Sequence, residues 1–396
     1  MYFVGLRNEN KKIFLFIFLS IMIFSFKSNA QDTLEKQTHN SVKNIWHIPH
    51  KTLWQIWMWP HRSVVYEITR TRPVNYDTSY IQFYDKQLVV TLPVSTRFLK
   101  FSLTDVKSGN KLVFAPNLQY DLGISLSSRW ATFILNTGVK LFGNNVDTKG
   151  KTIYKDYQLN LYGRKITTDI FVQHYSGFYI KNSQSYGNYI SAKPYAIRSD
   201  VNALNIEVSS YYIVNNKKFS YRNTFGFTER QKKSAGSILV GVYYSYFSAN
   251  GNPSLVTQPF RSSFDSSSFI RTGHTQSMGL NLGYIYTLVF LKKCYATASL
   301  VQGIGGEQVA YKRDDNSTYN QLVAGVGKLN VRVGLGYDNG NYFIGTMGIF
   351  DYFLFNGSLN SIFNYSFGKF MVYVGYRFHT IKAEHKLLRR LKLIDY

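Results

Sequence analysis

Two pairs of residues in this chain have types and spacing that could support nucleophilic or acid–base chemistry. His274 lies three residues before Ser277, and Asp169 lies five residues before His174. A histidine can activate a serine hydroxyl when the two side chains are within hydrogen-bonding distance. Residues an odd number of positions apart point to opposite faces of a strand, so neither pair can make this contact within a β-strand. We therefore predict no catalytic residues.

Histidine and tryptophan are concentrated between residues 31 and 75. His47 and His50 have a spacing that could hold zinc or copper, but no cysteine or acidic partner stands close to them. The glycine-containing basic turns at 108–111 and 149–151 lack the frame of a phosphate-binding loop. We predict neither a metal site nor a cofactor site, and expect the tryptophans to anchor an irregular or short-helical segment at a membrane interface or inside a lumen. The residues concerned are His39, His47, His50, His61, Trp46, Trp54, Trp57 and Trp59.

The N-terminus has the features of an export signal. Basic residues up to Lys12 precede an uncharged stretch, Ile13 to Phe26, and Ser28-Asn29-Ala30 supplies the small residues that a signal peptidase reads. The uncharged stretch is shorter than the ~20 apolar residues of a membrane-spanning helix. We therefore predict a signal peptide over residues 1–30, cleaved between Ala30 and Gln31.

The composition limits the class of protein. The chain has 396 residues, a net charge of +24, 17% aromatic residues, 17% charged residues and one cysteine. Such a share of aromatic residues excludes a disordered chain, and a single cysteine excludes a disulfide scaffold. A mean hydropathy of −0.18, with one long apolar run, excludes a membrane protein built of many helices.

From about residue 117 onward, apolar residues recur at every second position. Between residues 117 and 126 they are Leu118, Tyr120, Leu122, Ile124 and Leu126. The same alternation recurs at 132–141, 277–286 and 329–337. Alternation places all apolar side chains on one face of a strand. A soluble sandwich would turn this face inward, whereas a membrane barrel would turn it outward to lipid.

Three features favour the barrel. Segments of 10–16 residues exceed the ~5–6 residues of ordinary soluble strands and reach the ~9–11 that cross a bilayer. Aromatic residues cluster at segment ends, as at 243–247 and 284–286, where their rings suit the headgroup level. The opposite face carries polar side chains that a dry core would strand and a water-filled lumen would solvate. These inward residues are Asp121, Lys140, Asn160, Asp169, Glu207, Arg222 and Arg332.

The predicted fold is all-β: an antiparallel transmembrane β-barrel of about twelve strands, with ten to fourteen allowed. The expected division is a signal peptide (1–30), a periplasmic segment rich in Trp and His (31–75), the barrel (76–378) and a basic C-terminal tail (379–396). Lys86–Leu103 also has strand character and could add to the sheet. The predicted strands are 117–126, 130–141, 154–162, 166–180, 200–214, 218–229, 236–248, 275–290, 294–312, 320–338, 341–355 and 360–378.

Several short motifs, taken in order, resemble the domain-of-unknown-function family numbered 4421 over about residues 75–378. They are Asp77-Thr78-Ser79-Tyr80-Ile81, Leu92-Pro93-Val94-Ser95-Thr96-Arg97-Phe98, Phe114-Ala115-Pro116-Asn117, Lys149-Gly150-Lys151-Thr152, Tyr162-Gly163-Arg164-Lys165, Gln173-His174-Tyr175 and Gly177-Phe178-Tyr179. The resemblance implies an exported outer-membrane barrel, and it implies no reaction.

The leading hypothesis is a non-enzymatic protein of the cell outer membrane that acts as a pore or as a structural component, with no solute named. The alternatives are a barrel enzyme acting on outer-membrane lipid and a soluble exported protein that binds polysaccharide. The final strand, Phe370–Phe378, resembles the signal read by the barrel-assembly machinery. Export excludes nucleic acid as the partner of the positive charge, and lipopolysaccharide phosphates are the expected anions. The basic loop residues are Lys181, Lys193, Arg198, Lys232, Lys233, Arg261, Arg271, Lys312 and Arg313.

Overall fold

The computed structural model describes residues 76–84, 87–128, 131–142, 145–187, 189, 191–354 and 361–379. The predicted signal peptide with its Ala30–Gln31 cleavage site, the segment 31–75 and the tail after residue 379 lie outside the described residues. No helix among the described residues is long and apolar enough to span a membrane.

The described chain consists almost entirely of β-strands. They are β1 Ile81–Phe83, β2 Gln87–Asp105, β3 Lys111–Ala115, β4 Tyr120–Ser128, β5 Ala131–Phe142, β6 Ile153–Tyr162, β7 Ile166–Ile180, β8 Ala196–Ile213, β9 Glu229–Gln231, β10 Ala235–Asn250, β11 Ile270–Phe290, β12 Cys294–Arg313, β13 Thr318–Asp338, β14 Tyr342–Leu354 and β15 Ser361–His379. Two four-residue helices accompany them, α1 Val146–Lys149 and α2 Arg222–Phe225. Short 3₁₀ helices lie at Ser183–Ser185, Arg261–Ser263 and Ser266–Ser268.

The strands pair in antiparallel fashion and close on themselves. β15 pairs with β2 over its whole length, from Ser361 opposite Asp105 to His379 opposite Gln87. The ring that runs through β2, β3, β7, β8 and β10–β15 contains ten strands, and β1 and β9 pair with each other outside it. The predicted all-β antiparallel barrel is therefore confirmed, and closure leaves this ring without a free sheet edge.

β4, β5 and β6 form a second path between β2 and β7. β4 pairs with β2 along residues 89–96, below the part of β2 that pairs with β3. β6 pairs with β7 along its whole length. β5 pairs with β6 through Ala131 opposite Leu161 and Thr132 opposite Asn160. β3 and β4 run in the same direction and are separated by 116–119, so they act as two halves of one interrupted strand.

The apolar face of the strands points outward. On β11, Leu282 is 62% exposed, whereas its neighbour Asn281 is 2% exposed. On β13, Val333 is 41% exposed and Arg332 is 1% exposed. A soluble sandwich would show the reverse, because its apolar residues would form the core. The predicted orientation of the two faces is therefore confirmed.

The two ends of the barrel differ. Short connections at 163–165, 291–293 and 339–341 lie at one end, which we call the short-turn end; the longer connections 181–195 and 251–269 lie at the opposite, long-loop end. One long connection, 214–234, breaks this rule by leaving the short-turn end. It contains α2 and β9, and we call it the plug, because most of its side chains are buried inside the barrel.

The plug corrects one predicted strand. Residues 218–229 are not a wall strand: they form α2 and the irregular segments beside it, and β9 begins at Glu229. Their alternating aromatic residues are buried instead of facing lipid. The segment Lys86–Leu103, which the sequence marks as strand-like, lies within wall strand β2 apart from Lys86, which is outside the described residues.

Candidate functional site: the barrel interior

The centre of the barrel contains a buried ion-pair cluster around Lys328 of β13. Its ammonium group lies 3.2 Å from a carboxylate oxygen of Asp351 on β14 and also pairs with Glu207 on β8. It donates a further hydrogen bond to the hydroxyl of Ser209 at 2.6 Å. Lys328, Glu207 and Asp351 are all about 1% exposed. A buried cation is therefore paired with carboxylates from two other strands, as burial of an ion requires.

Arg332, four residues further along β13 and on the same face of the strand, forms a second cluster. Its guanidinium lies 2.7 Å from a carboxylate oxygen of Asp169 on β7 and donates to the hydroxyl of Tyr221 in the plug. Asp169 also accepts a hydrogen bond from the Tyr162 hydroxyl at 2.8 Å. Arg332 donates to Asn330 at 3.0 Å, which links this cluster to the first one. The plug and the wall thus share one polar network.

A third set of polar side chains lies between β2, β6 and β15. The guanidinium of Arg97 is 3.7 Å from a carboxylate oxygen of Asp156. Asp156 accepts hydrogen bonds from Gln173 at 2.7 Å and from the Tyr175 hydroxyl at 3.1 Å. Lys369 donates to the amide oxygen of Gln158 at 2.8 Å. These contacts extend the network around the wall.

Aromatic side chains fill the interior on the long-loop side of the charges. The rings of Phe247 and Tyr365 stack with their centres 4.5 Å apart, and the ring of Phe353 also stacks on Tyr365 at the same distance. Phe101 and Phe114 form another stacked pair at 4.5 Å. All five residues are buried. Rings stacked in this way are close-packed and leave little space between them.

Residues 251–269 close the long-loop end, and we call them the cap. Leu255, Val256 and Phe260 of the cap are buried. Arg198 on β8 holds the cap by donating to the carbonyls of Leu255 at 2.6 Å and Ser254 at 2.7 Å. Near the end of the cap, Asp265 precedes the 3₁₀ turn Ser266–Ser268, and its carboxylate accepts from the Ser267 amide at 3.0 Å. The Arg198 bonds are therefore polar contacts between the cap and wall strand β8.

The plug closes the short-turn end. Glu229 is buried between Arg164, whose guanidinium lies 2.5 Å away, and Arg222, at 3.3 Å. Ser220 donates to Glu229 at 2.5 Å, and Arg222 donates to the carbonyl of Tyr162 at 2.6 Å. A carboxylate held by two arginines is costly to separate from them inside a protein. The plug is therefore fixed in place by charge as well as by its buried phenylalanines.

Arg377 near the end of β15 ties the plug to the wall. It forms a two-pronged contact with Asp338, at 2.8 Å and 2.7 Å, and donates to the carbonyl of Phe227 in the plug at 3.1 Å. The rings of Tyr84 and Phe343 lie 4.2 Å and 4.5 Å from its guanidinium carbon. Planar, bidentate pairing suits arginine and would be lost with lysine.

The predicted inward residues lie inside the barrel, but the water-filled lumen expected around them is wrong. Asp121, Asn160, Asp169, Glu207 and Arg332 are all buried, and each makes at least one hydrogen bond with another protein group. Arg222 lies in the plug and not on a wall strand, and the side chain of Lys140 is outside the described part of the structure. The interior is packed because the aromatic layer and the plug occupy the space that solvent would need.

Other sequence predictions divide between confirmation and correction. His274 faces outward and stacks against Tyr246 with ring centres 6.2 Å apart, whereas Ser277 is buried on the inner face. His174 is exposed and Asp169 buried, so both predicted pairs are separated as expected. Part of the predicted aromatic belt is wrong, because alternate residues of 243–247, Tyr243 and Phe247, are buried inside.

Three of the predicted basic loop residues need correction. Arg198 is buried and pairs with Asp200 at 2.6 Å, so it cannot meet an external phosphate. Lys232 and Lys233 belong to the plug and lie at the short-turn end, away from the other basic loop residues. Sequence reasoning missed Lys328, although its spacing of two from Asn330 and four from Arg332 marks it as inward-facing.

Several solved structures are similar to this chain at low sequence identity. The toluene transporter TodX of P. putida is 10% identical with a TM-score of 0.24, covering 80% of this chain and 93% of TodX. In-vitro folded OmpT, an outer membrane protein of Vibrio cholerae, is 9% identical with a TM-score of 0.24, covering 78% and 100%. The outer membrane protein OprG from Pseudomonas aeruginosa is 7% identical with a TM-score of 0.24, covering 75% and 99%. No curated protein matched the sequence.

The family comparison also covers most of the chain. The family model described as Domain of unknown function (DUF4421) matches residues 75–378. These residues include all of the described strands except the last residue of β15. The ion-pair clusters, the plug and the cap all lie within them. The match agrees with the resemblance carried by the motifs between Asp77 and Tyr179, and the chain belongs to the DUF4421 family.

Proposed function

We propose that the chain is a non-enzymatic, integral β-barrel of the outer membrane that serves as a closed structural component and not as a passive pore. The observation that carries this proposal is the reversal of sides: large apolar residues are exposed on the wall, while arginines, lysines and carboxylates are buried within it. Exposing such a surface to water would be unfavourable, and contact with hydrocarbon removes the cost.

The outward apolar surface continues around the barrel. Members from six wall strands include Val240, Leu280, Leu282, Leu300, Ile304, Leu322, Leu335, Ile344, Val372 and Val374, each between 47% and 69% exposed. A monomeric soluble protein rarely exposes one continuous apolar area of such extent. This feature favours the membrane role over the alternative of a soluble polysaccharide-binding protein.

The proposed wall within the membrane follows the longer path, through β4, β5 and β6, and so has twelve strands. β4 and β6 each carry outward apolar side chains, such as Leu126 and Tyr157, that a ten-strand ring would leave off the wall. In this arrangement β3 joins β2 to β7 near the long-loop end. Short turns face the periplasm and longer loops face outward in barrels of this class.

The proposed partners follow from this orientation. Lys181, Lys193 and Lys312 are exposed at the long-loop end, where the phosphates of lipopolysaccharide would lie. The last strand ends in outward-facing aromatic residues, including Tyr376 and Phe378. These suit recognition by the barrel-assembly machinery. The filled interior supports a closed barrel, and no solute is proposed.

The enzyme alternative has less support. His274 and Ser277 lie on opposite faces of β11, so the hydroxyl has no imidazole beside it from this pair. A nucleophilic serine needs a base within about 2.6–3.2 Å. We therefore propose a non-enzymatic role.

Membrane fractionation followed by electrophoresis tests the proposal. The mature chain should sediment with outer membranes, resist extraction by high salt and by urea, and migrate faster unheated than heated in detergent electrophoresis. A mutant with polar residues at three outward positions, Leu280→Ser, Leu282→Ser and Leu300→Ser, should no longer migrate faster when unheated. Release of the wild-type chain by salt alone would refute the membrane role.

A further inference from the structure

A set of basic side chains lies at the short-turn end, on the plug and on the turns beside it. Eight of them are exposed or half-buried, and we call this set the basic surface. Its members are Lys165, Lys217, Lys218, Arg230, Lys232, Lys233, Lys292 and Lys293. The turns 163–165 and 291–293 are short, so Lys165, Lys292 and Lys293 extend directly from the end of the barrel.

Direct contacts join several members of the basic surface. Lys218 and Lys233 place their Nζ atoms 5.2 Å and 5.4 Å from the ring centre of Tyr80. Arg230 donates to the carbonyl of Lys292 at 2.9 Å, which links the plug to the β11–β12 turn. Cations on separate chain segments are therefore held next to one another in spite of their mutual repulsion.

Carboxylates offset little of this charge. Among the described residues of the short-turn end, Glu229 and Asp338 are buried and paired with arginines, which leaves Asp77 as the carboxylate at the surface. Aspartates are more numerous among the basic residues of the long-loop end. They are Asp105, Asp147, Asp200, Asp265, Asp314 and Asp315. The excess positive charge of the described chain is thus least neutralised at the short-turn end.

The basic surface lies across the mouth of the barrel. Lys217, Lys218, Lys232 and Lys233 belong to the plug, whose phenylalanines are buried within the wall. Lys232 is held over the mouth by donating to the carbonyl of Thr78 at 2.9 Å. Lipid headgroups surround the outside of a barrel, so they do not cover the four lysines of the plug. The ligand must instead approach along the barrel axis.

Seven of the eight cations are lysines. Lysine presents a point charge on a flexible stem, without the planar fork with which arginine selects one anion geometry. Such a set suits several carboxylates spaced along an extended chain. β1 pairs with β9 along one edge, and a peptide added at its other edge would bring acidic side chains over the lysines.

We propose that the basic surface docks an acidic polypeptide segment of a periplasmic protein. The inference rests on the proposed function only for placing the short-turn end in the periplasm. Binding should be steered by charge and should weaken as salt rises, because exposed charges are screened within about 8 Å at physiological ionic strength.

Fluorescence anisotropy on the full chain in a neutral detergent tests this proposal. The probe is a labelled decapeptide of alternating Glu and Ser. The test variant combines Lys217→Gln, Lys218→Gln, Lys232→Gln and Lys233→Gln. The control variant removes four charges at the long-loop end: Lys111→Gln, Lys181→Gln, Lys193→Gln and Lys312→Gln. The heat-dependent shift in electrophoretic mobility checks that both variants fold.

The test variant should bind the peptide about tenfold more weakly than the wild type, and the control variant within about twofold of it. Equal losses in both variants would overturn the proposal, because net charge alone would then explain binding. Soluble murein fragments and vesicles containing phosphatidylglycerol serve as competing probes. If either binds the basic surface while the peptide does not, the polypeptide assignment is wrong. Failure of peptide binding leaves the fractionation result unchanged, so the two proposals fail separately.

Discussion

Replacing Lys328 by methionine tests whether the barrel interior is dry. Lys328 is buried between the carboxylates of Glu207 and Asp351 and also donates to Ser209 at 2.6 Å. Methionine has a similar length, so the main change is the loss of one charge beside two buried carboxylates. Removing one partner of a buried ion pair costs about 3–5 kcal/mol. In a water-filled lumen the same change would cost about 0–1 kcal/mol.

The assay is urea unfolding of the protein folded into lipid vesicles, followed by the electrophoretic mobility of unheated samples. We expect Lys328→Met to lower the free energy of unfolding by about 3–5 kcal/mol. The matched control, Lys312→Met on an exposed long-loop site, should change it by less than about 0.5 kcal/mol. Adding Glu207→Gln and Asp351→Asn to Lys328→Met should recover much of the loss. A Lys328→Met variant within about 1 kcal/mol of the wild type would refute the dry interior.

Three further predictions concern the wall, the plug and the cap. Leu282→Arg on the outer face should destabilise the vesicle-folded protein by about 2–4 kcal/mol, and an unchanged urea midpoint would contradict its lipid contact. Glu229→Gln should speed tryptic cleavage of the plug, because two buried arginines lose their counter-charge; equal cleavage rates would show that charge does not hold it. Hydrogen bonds from Ser267 lower the pKa of Asp265 to about 2. This stabilisation is complete above the ordinary pKa of about 4 and is lost as the pH falls towards 2. The protection of the Ser267 amide against hydrogen exchange should therefore fall over that range. Constant protection would contradict the prediction.

The faces of the wall strands could be predicted from sequence because the side-chain period of a strand is two. Leu282 and Asn281 are neighbours in the chain and lie on opposite sides of the wall, as their alternation indicates. Strand length is a second feature of the sequence that indicates a membrane barrel. β11 and β13 each contain 21 residues, which is far longer than strands of soluble domains.

The plug could not be predicted because its local pattern imitates a strand. Phe219, Tyr221, Phe225 and Phe227 occupy alternate positions, as in a lipid-facing strand. These aromatic side chains pack inside the barrel and not against lipid. A local sequence pattern does not distinguish these two apolar environments. Phe227 has a φ of 61°, a left-handed conformation that interrupts any extended run.

The inward position of the interior charged residues could be predicted from sequence, but which residue pairs with which could not. Lys328 and Glu207 come from β13 and β8, and Arg332 and Asp169 come from β13 and β7. Sequence indicates that each of these strands carries inward polar residues. The pairing depends on which strands face each other across the closed barrel. The error of a water-filled lumen followed from treating each charge without its partner.

Single-channel recording in planar bilayers tests the central claim most directly. The purified wild-type chain, shown to be folded by its unheated mobility, is inserted at neutral pH and a voltage is applied. A barrel filled by ion pairs, aromatic rings, plug and cap should raise no steady current above the bare bilayer. Reproducible, long-lived conductance steps from the wild-type protein would contradict the closed interior.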